Sequence, residues 1–425
     1  MNICIIGGGA SGCFAALAAK KANPAAQVTI YERMNRIGKK ILASGNGRCN
    51  LSNMDASSEH YYGENPSFVE YALDNIYPEK TLEIFAELGL LCKKEYGGRI
   101  FPHSMQANSV VDVLRCSLET AGVTTITEAS VSSIKRSESG FVVEYSHDGN
   151  THTTSCGRVI ICAGSKSAPA LGGNDFGHNL LASLGHTITK TTPALCQLKA
   201  DTAICKPLKG IRSDCRVTAY SDSTNVAQSE GDVIFAAYGL SGSAIFDISQ
   251  VCHYHSDIVL TLDFMKEHGR VAIENMLRAR RDLNLFPTLE VFFTGIFHKM
   301  IGHAILRKSG FENLQAVSSS LTDADISTIA RCIKKFEIQT YGHNGYENSQ
   351  VTAGGALTSQ FDPTTMESKL VPGLFATGEV LDIFGDCGGF NLQWAWSSGY
   401  IAGRSAAKIS QTLRRGVEDA APYNS

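Results

Sequence analysis

The chain has 425 residues, which is more than a single hydrophobic core usually supports, so two or three domains are expected. Its composition, with 43% hydrophobic and 19% charged residues, is that of an ordered globular protein and excludes extensive disorder. The net charge is −3, and the positive residues are scattered rather than grouped in a tail or stripe. We therefore expect no nucleic-acid partner and no attraction to an acidic membrane surface.

The thirteen cysteines show no repeating spacing, and no two of them are separated by only two residues. This pattern indicates reduced thiols without a redox-active disulfide motif. The uncharged segment 1–19 is apolar, but its central glycines and the lack of a preceding basic residue argue against a signal peptide or a membrane span. We expect a cytoplasmic protein without a membrane anchor. The histidines lack metal-ligand spacing, so no metal site is expected.

The N-terminal segment predicts a strand, a glycine-rich turn, a helix and a second strand. The apolar run 2–6 fits a buried parallel strand, an alanine-rich helix follows Gly12, and residues 27–32 fit the next strand. Gly7, Gly9 and Gly12 form the Gly-x-Gly-x-x-Gly pattern between strand and helix. One glycine permits the tight turn, one lets a pyrophosphate approach the backbone, and one lets the helix pack on the strand.

Glu32 ends the second strand, twenty residues after Gly12. A carboxylate at this position accepts hydrogen bonds from ribose hydroxyls and repels a 2′-phosphate. The helix after the glycine turn offers free N–H groups and a favourable dipole to phosphates. The segment therefore predicts a Rossmann-type domain that binds the ADP-ribosyl half of a dinucleotide, and Ser11 and Arg33 are expected at the same site.

The next elements are less regular. Residues 36–53 are rich in glycine and serine and predict a functional loop. Residues 67–88 and 109–121 predict amphipathic helices. Residues 124–162 predict short strands, followed by a turn at Ala163 and Gly164.

The character of the sequence changes between about residues 190 and 341. Strand-like segments come first, followed by a more charged, helix-rich stretch around 268–309 and a helix at 323–335. Glycines become frequent again from residue 350. These changes predict a dinucleotide-binding domain formed by both ends of the chain, with one or two substrate domains inserted between them.

Two C-terminal segments favour FAD over NAD as the dinucleotide. Residues 372–379 resemble the short strand of FAD enzymes that brings an acidic side chain to the ribityl chain, here Glu379. Gly388 and Gly389 then precede a helix whose first N–H groups suit the negative charge of a reduced flavin. Asn391 is expected either to cap this helix or to bond to the flavin. Together with the glycine turn, these segments predict FAD as the cofactor.

Longer runs of the sequence resemble one protein family. Residues 351–355, 366–369 and 388–399 closely resemble the bacterial flavoprotein family that includes aminoacetone oxidases and dehydro-bile-acid reductases, and residues 38–40 and 44–50 match it too. The resemblance covers essentially the whole chain. It implies an α/β fold in which a Rossmann-type FAD-binding domain is split by an inserted β-rich domain and a small helical domain. The corresponding boundaries are 1–190 and 342–425 for the FAD-binding domain, 191–250 and 310–341 for the β-rich domain, and 251–309 for the helical domain.

The resemblance also adds residues to the cofactor site. It implies that Arg48 and Cys49 lie against the cofactor and that Val131 offers its backbone to the adenine. On physical grounds, the planar guanidinium of Arg48 suits a pyrophosphate. Cys49 is either a catalytic or redox thiol or, as we favour, a small side chain that fills space beside the isoalloxazine. The complete predicted site is Gly7, Gly9, Ser11, Gly12, Glu32, Arg33, Lys40, Arg48, Cys49, Val131, Ala163, Gly164, Gly378, Glu379, Gly389, Asn391 and Leu392.

The activity implied by the resemblance is that of a FAD-dependent oxidoreductase. We expect hydride transfer through flavin N5 with a small carbonyl- or enone-bearing substrate. An amine oxidase that uses dioxygen and a flavin-dependent tRNA-modifying protein are the alternatives. No second Gly-x-Gly-x-x-Gly exists, so NAD(P)H as a donor would have to visit the cleft transiently. Relatives commonly have Thr-His-x-Gly where this chain has Ala236-Ala237-Tyr238, so the usual histidine is missing and no catalytic residue is predicted.

Overall fold

The computed structural model describes residues 1–408. The strands are β1 (Asn2–Ile6), β2 (Gln27–Tyr31), β3 (Ser52–Asn53), β4 (Tyr61–Tyr62), β5 (Cys92–Lys94), β6 (Arg99–Pro102), β7 (Thr124–Ile126), β8 (Ser130–Ser137), β9 (Gly140–His147), β10 (Asn150–Cys156), β11 (Arg158–Ile161), β12 (Thr192–Ala194), β13 (Leu198–Ala200), β14 (Arg212–Ser221), β15 (Thr224–Ala236), β16 (Gly239–Ser241), β17 (Val259–Asp263), β18 (Phe336–His343), β19 (Val351–Ala353), β20 (Leu374–Ala376) and β21 (Phe384–Gly385). The helices are α1 (Ala10–Ala22), α2 (Lys39–Gly47), α3 (Glu70–Asn75), α4 (Pro78–Glu87), α5 (Ala107–Thr120), α6 (Phe176–Ser183), α7 (Thr202–Cys205), α8 (Ser243–Ile248), α9 (Val251–Tyr254), α10 (Arg270–Leu283), α11 (Lys299–Lys308), α12 (Asp323–Lys334) and α13 (Phe390–Ala406).

The chain forms two compact units. Unit 1 comprises Met1–Thr192 and Val351–Ser425, and unit 2 comprises Pro193–Gln350. Residues 409–425, which the sequence assigns to the FAD-binding domain, lie outside the described residues. The sequence also places residues 342–350 in that domain, whereas the structure assigns them to unit 2.

Unit 1 is built on a parallel sheet with strand order β20-β11-β1-β2-β7. β1 lies at its centre and pairs in parallel with β11 and with β2. Because such a strand is covered on both faces, it is an uninterrupted apolar run, and Ile3 and Ile5 are 1% and 0% exposed. The carboxyl ends of β1 and β11 therefore lie side by side, where α/β proteins of this type bind ligands.

Helix α13 packs against α1 through two glycines. A Cβ on Gly399 would lie 2.3 Å from the carbonyl oxygen of Ser11, and one on Gly403 would lie 2.0 Å from that of Ala15. Both distances are too short for any side chain, so glycine is what allows the two backbones to approach at both points. The first and last described helices thus form one closely packed pair.

Two segments differ from their sequence-based expectation. Residues 36–53 contain the helix α2, which is interrupted where Gly45 and Asn46 have φ of 55° and 56°. Glycine and asparagine adopt this left-handed conformation at low cost, and their presence gives the segment its irregular sequence. The single helix expected over 67–88 is two helices, α3 and α4, because Pro78 begins a new first turn and cannot continue a preceding helix.

Unit 2 contains a closed six-stranded barrel with the order β13-β16-β15-β14-β17-β18. Helices α10 and α11 share one hydrophobic cluster with the barrel, in which Ile273 and Ile305 join Leu260 and Phe336. One continuous core therefore includes the stretch 251–309 that the sequence separates as a helical domain. The charges on the outer face of α10 give that stretch its distinct composition without making it independent.

Thirteen free thiols are present, and most of them are buried. No helix within residues 1–408 is both long enough and apolar enough to cross a membrane. Over the same residues, no group of three or more histidine, cysteine, aspartate or glutamate side chains is placed to hold a metal ion.

Candidate cofactor site

The glycines of the turn between β1 and α1 have different surroundings. A Cβ on Gly7 would lie 2.4 Å from Cys162 O, and one on Gly12 would lie 2.0 Å from Gly7 O. These two positions require glycine for packing within the protein. A Cβ on Gly9, in contrast, would meet nothing within 4 Å. Gly9 therefore faces open space at the N-terminus of α1, which fits the position that a pyrophosphate approaches.

Glu32 follows β2 and holds the same turn. Its Oε2 accepts a hydrogen bond from the N–H of Gly8 and its Oε1 accepts one from the N–H of Met34, both at 2.7 Å. The sequence predicts ribose binding here, and the structure adds a scaffolding role that ties the glycine turn to the end of β2. Each carboxylate oxygen keeps a further lone pair for a ribose hydroxyl. The adjacent Arg33 is exposed and donates to Gly172 O at 3.0 Å.

The residues next to this turn differ in what they offer a ligand. Ser11 is 6% exposed, and its hydroxyl lies beside Gly378, where a Cβ would be 3.1 Å from Oγ. Its side chain therefore contacts protein, and its backbone N–H is part of the first turn of α1. Ala163 and Gly164 follow β11, and a Cβ on Gly164 would meet nothing within 4 Å. Gly164 therefore leaves space beyond the strand that neighbours β1.

Lys40 and Glu379 form an ion pair with Nζ and Oε2 2.7 Å apart. Ser167 bridges them, because its hydroxyl accepts from Lys40 Nζ and donates to Glu379 Oε1, each at 2.7 Å. The N–H of Thr352 donates to the same Oε1 at 2.8 Å. Three segments of unit 1 thus fix the carboxylate that the sequence predicts at the ribityl chain, and one of them brings the predicted Lys40 to it.

Arg48 and Cys49 directly follow the irregular helix α2. The exposed guanidinium of Arg48 lies 4.9 Å from the ring centroid of Phe101, and its Nε donates to Gly45 O at 3.2 Å. Cys49 is 0% exposed. Burial raises the pKa of its thiol to about 12, although a hydrogen bond with Ser44 opposes the shift. A thiol that stays protonated is a poor nucleophile, so the space-filling role of Cys49 is favoured over a redox role.

Val131 lies in β8, where the pairing with β9 shifts register between Val131 and Ser133. An irregularity of this kind leaves backbone groups outside the ladder. The Val131 side chain is 5% exposed and belongs to the core of unit 1. Its backbone is therefore the part of this residue that can serve an adenine, as the sequence predicts.

The start of α13 presents unpaired polar groups. Gly389 is its N-cap and has φ of 107°. The first-turn N–H groups, at Phe390, Asn391 and Leu392, have no carbonyl partner within the helix. Asn50 Oδ1 would lie 3.0 Å from a Cβ on Gly389, and this buried oxygen has no hydrogen-bond partner in the described part of the chain. Donors and an unsatisfied acceptor at one place fit the polar edge of a ligand such as a flavin pyrimidine.

The side chain of Asn391 does not cap α13. Its Oδ1 accepts from the N–H of Gly385 at 2.7 Å, and its Nδ2 donates to Gly385 O at 2.8 Å and to Asp386 O at 3.2 Å. The amide thus joins the first turn of α13 to Gly385, the last residue of β21, and to the following residue, Asp386. Oδ1 accepts one hydrogen bond here, so its second lone pair remains available to a cofactor.

A polar cluster beside this turn is missing from the sequence-based site. His60 Nδ1 and Asp386 Oδ2 are 2.9 Å apart, and Tyr62 OH donates to Asp386 Oδ1 at 2.8 Å. The imidazole stacks on the ring of Phe390 with centroids 4.4 Å apart and planes at 24°. His60 and Asp386 are 326 positions apart, so no local spacing could reveal the pair. The available signal is an acidic residue two positions before the glycine pair.

The fold and the site define a Rossmann-type flavoprotein of the oxidoreductase class. The chain belongs to the HI0933-like family, whose Rossmann-domain model matches residues 1–405. The family resemblance and the α/β fold class predicted from the sequence are thereby confirmed.

Individual relatives share nearly the full length of the chain. It is 39% identical over 412 residues to a 3-dehydro-bile acid delta(4,6)-reductase of Clostridium scindens, covering 96% of this chain and 99% of the relative. It is 27% identical over 406 residues to a ribosomal RNA dihydrouridine synthase of Haemophilus influenzae, covering 95% and 98%. The structure of 3-ketosteroid delta1-dehydrogenase from Sterolibacterium denitrificans in complex with 1,4-androstadiene-3,17-dione matches with a TM-score of 0.53 and 12% identity, covering 95% of this chain and 99% of that chain. This last likeness concerns the fold alone.

Proposed function

We propose that unit 1 binds FAD, with the ADP half at the glycine turn and the flavin at the start of α13. The observation that carries the proposal is the packed helix pair α1 and α13. The N-terminus of α1 follows Gly9, where a Cβ would meet no atom within 4 Å. The N-terminus of α13 lies beside Asn50 Oδ1, which has no hydrogen-bond partner in the described residues. Helix N-termini attract anionic groups through free N–H groups and the helix dipole. FAD carries such groups at its pyrophosphate and, when reduced, at its pyrimidine edge.

The remaining predicted residues divide between the two halves of the cofactor. Glu32 would receive the ribose hydroxyls, and Val131 would meet the adenine. The Lys40–Glu379 pair would hold the ribityl chain, with Arg48 near the phosphates and Cys49 filling space. When bound, the flavin supplies hydride transfer through its N5, while the protein contributes orientation and electrostatics. N–H groups at the start of α13 would favour the anionic reduced flavin.

The proposed reaction is the reduction of an enone in a small organic molecule. The C. scindens relative is named a reductase of a dehydro-bile acid, and it aligns with 96% of this chain at 39% identity. We therefore propose 3-oxo steroids with conjugated double bonds as the first substrates to try. NAD(P)H is the proposed donor, and it would bind transiently because the sequence has one dinucleotide fingerprint only.

RNA modification is the competing proposal, since the H. influenzae relative is named a ribosomal RNA dihydrouridine synthase. Two ion pairs of unit 2 count against it. Arg281 pairs with Asp323 at 2.9 Å and Lys334 pairs with Asp263 at 2.6 Å. Binding to RNA requires cations that neutralise phosphates, and these two cations are already neutralised within the protein.

Anaerobic spectroscopy of the flavin-loaded protein tests the proposal and both alternatives. NADH or NADPH should bleach the flavin, and a 3-oxo-4-ene steroid should then restore its colour faster than air-saturated buffer does. Bleaching by amines followed by fast reoxidation with oxygen would establish an amine oxidase instead. Restoration of colour by a ribosomal RNA fragment, with no response to enones, would establish RNA modification. A purified protein that retains no flavin and does not bind added FAD would overturn the cofactor assignment.

A further inference from the structure

We propose that His60, oriented by Asp386, donates the proton that completes reduction of the substrate. This inference rests on the proposed reductase function. Saturation of a conjugated C=C bond adds a hydride to one carbon and a proton to the other. A bound flavin reduced by a nicotinamide would provide the hydride, so a side chain that donates the proton would complete the reaction.

The backbone places His60 at the start of α13. β4 and β21 pair antiparallel, with Tyr62 opposite Phe384. The N–H of Asp386 donates to His60 O at 3.0 Å, which extends this pairing into the loop before α13. The stacking of the imidazole on Phe390 then fixes the ring against the first residue of the helix. His60 thus lies at the same helix end as the groups proposed to receive the flavin.

The contacts of the ring suit a proton donor. Nδ1 is engaged with Asp386, whose carboxylate stabilises the protonated imidazole and fixes its orientation. Nε2 makes no hydrogen bond within residues 1–408, so its proton is available to a ligand when the ring is charged. The side chains of His60 and Asp386 are 35% and 21% exposed, so water can restore the proton after each turnover. Asp386 is in this account a positioning residue.

The other titratable groups around His60 are less suited. Tyr61 is buried, and its hydroxyl donates to Phe390 O at 2.9 Å. Burial, and then the charge of Asp386, raise the pKa of Tyr61 and keep it protonated. The Tyr62 hydroxyl donates to Asp386 at 2.8 Å, so its proton helps to hold the carboxylate. His60 is the member of the cluster that has a ring nitrogen, Nε2, without a hydrogen-bond partner in the described part of the chain.

The step balances with these groups alone. The π bond of the enone breaks and two C–H bonds form, the first with the hydride at the β-carbon and the second with the Nε2 proton at the α-carbon. The substrate would gain two electrons and two hydrogens, of which a bound reduced flavin would supply the hydride, and His60 would be left neutral. Water returns the proton to His60, and the nicotinamide donor returns the electrons.

The test uses His60→Gln, which can still donate a hydrogen bond to Asp386 but cannot carry a charge. His147→Gln is the matched control, because His147 also lies next to an aspartate, Asp148, at 3.4 Å and its side chain is 33% exposed. Stopped-flow absorbance measures the two half-reactions separately across pH. Thermal unfolding and FAD titration measure the structural effect of each change.

We expect His60→Gln to slow flavin reoxidation by an enone at pH 7 by about a hundredfold or more. Flavin reduction by the donor, FAD affinity and unfolding temperature should stay within error of wild type. The pH dependence of reoxidation that wild type shows should disappear in this variant and persist in His147→Gln. Reoxidation by His60→Gln within about threefold of wild type, with an unchanged pH profile, would overturn the proposal.

A second measurement does not depend on turnover. NMR of protein with labelled histidine should show the Nδ1 proton of His60, which Asp386→Asn should shift, and a bound 3-oxo steroid should shift the ring signals of His60. If wild type binds FAD but reduces no enone, the proposed function fails. Proton donation by His60 then fails with it, whereas enone reduction by wild type with unmoved ring signals would overturn the His60 proposal alone.

Discussion

Replacement of Gly9 by alanine should separate cofactor binding from folding. Gly9 is the N-cap of α1 with φ of −80° and ψ of −167°, and a Cβ there would meet nothing within 4 Å. Alanine accepts this conformation. It loses about 0.5–1 kcal/mol as an N-cap relative to glycine. It gains about 0.4–1 kcal/mol because the unfolded chain has less freedom. The free energy of unfolding of the apoprotein should therefore change by less than about 1 kcal/mol.

The same methyl group should weaken FAD binding. It would occupy the space through which a pyrophosphate reaches the N–H groups at the start of α1. Loss of one hydrogen bond to a charged oxygen costs about 1.5–3 kcal/mol. That loss corresponds to FAD binding weakened by about 10- to 150-fold.

Thermal unfolding of the apoprotein and fluorescence titration with FAD measure the two effects. Gly269→Ala is the matched control, because Gly269 is also an N-cap with negative φ, −69°, and nothing within 4 Å of its Cβ position. It should alter neither FAD affinity nor, by more than about 1 kcal/mol, stability. Gly12→Ala should damage the apoprotein itself, since its Cβ would lie 2.0 Å from Gly7 O. If Gly9→Ala folds normally and binds FAD as tightly as wild type, the pyrophosphate does not lie at this turn.

Three further changes probe the supporting contacts. Glu32→Ala should lower both apoprotein stability and FAD affinity, because the carboxylate accepts two backbone hydrogen bonds that are each worth about 1.5–3 kcal/mol. Glu32→Gln keeps one acceptor and should lose less stability. Chemical denaturation of the two apoproteins compares these losses. Asn391→Leu should lower the free energy of unfolding by about 1–3 kcal/mol through its lost bonds to β21. A shift of about 30 mV in flavin potential at saturating FAD, equal to about 1.4 kcal/mol, would show that Asn391 also contacts the cofactor. Burial raises the pKa of Asp382, so the folded state binds a proton more tightly than the unfolded state, and stability from this group is lost as pH rises through the folded pKa. Asp382→Asn keeps an acceptor for the N–H of Glu64 and should unfold at a higher temperature than wild type at pH 8 but not at pH 4; equal differences at both values would contradict the assignment.

The part of the fold that the sequence predicts is the part with local determinants. The apolar run of β1, the spacing of Gly7, Gly9 and Gly12, and the position of Glu32 all lie within the first 32 residues. They specify a strand, turn, helix and strand whose geometry depends on neighbours in sequence. The same pattern does not reveal that Glu32 braces the turn, since this depends on where the carboxylate points in three dimensions.

The contacts missing from the sequence-based site join distant parts of the chain. Lys40 and Glu379 are separated by 339 positions, and His60 and Asp386 by 326. Only the folded chain brings such residues together, so composition and spacing do not show which of them pair. The separate helical domain over 251–309 stays a prediction, and the structure adds one observation to it. The helices within 251–309 look independent from their charge, yet their buried faces complete the core of the barrel.

The glycine contacts between α1 and α13 have a consequence for how this protein matures. A ribosome releases Ser11 and Ala15 early, but their partners Gly399 and Gly403 emerge only after all of unit 2 has been synthesised. Until then, the backbone that α13 will cover has no partner, and one of the two helix ends proposed for the cofactor does not exist. With the proposed flavin position, loading would be a late event for the nascent chain. A chain truncated before residue 390 should remain colourless even though its nucleotide fingerprint is complete.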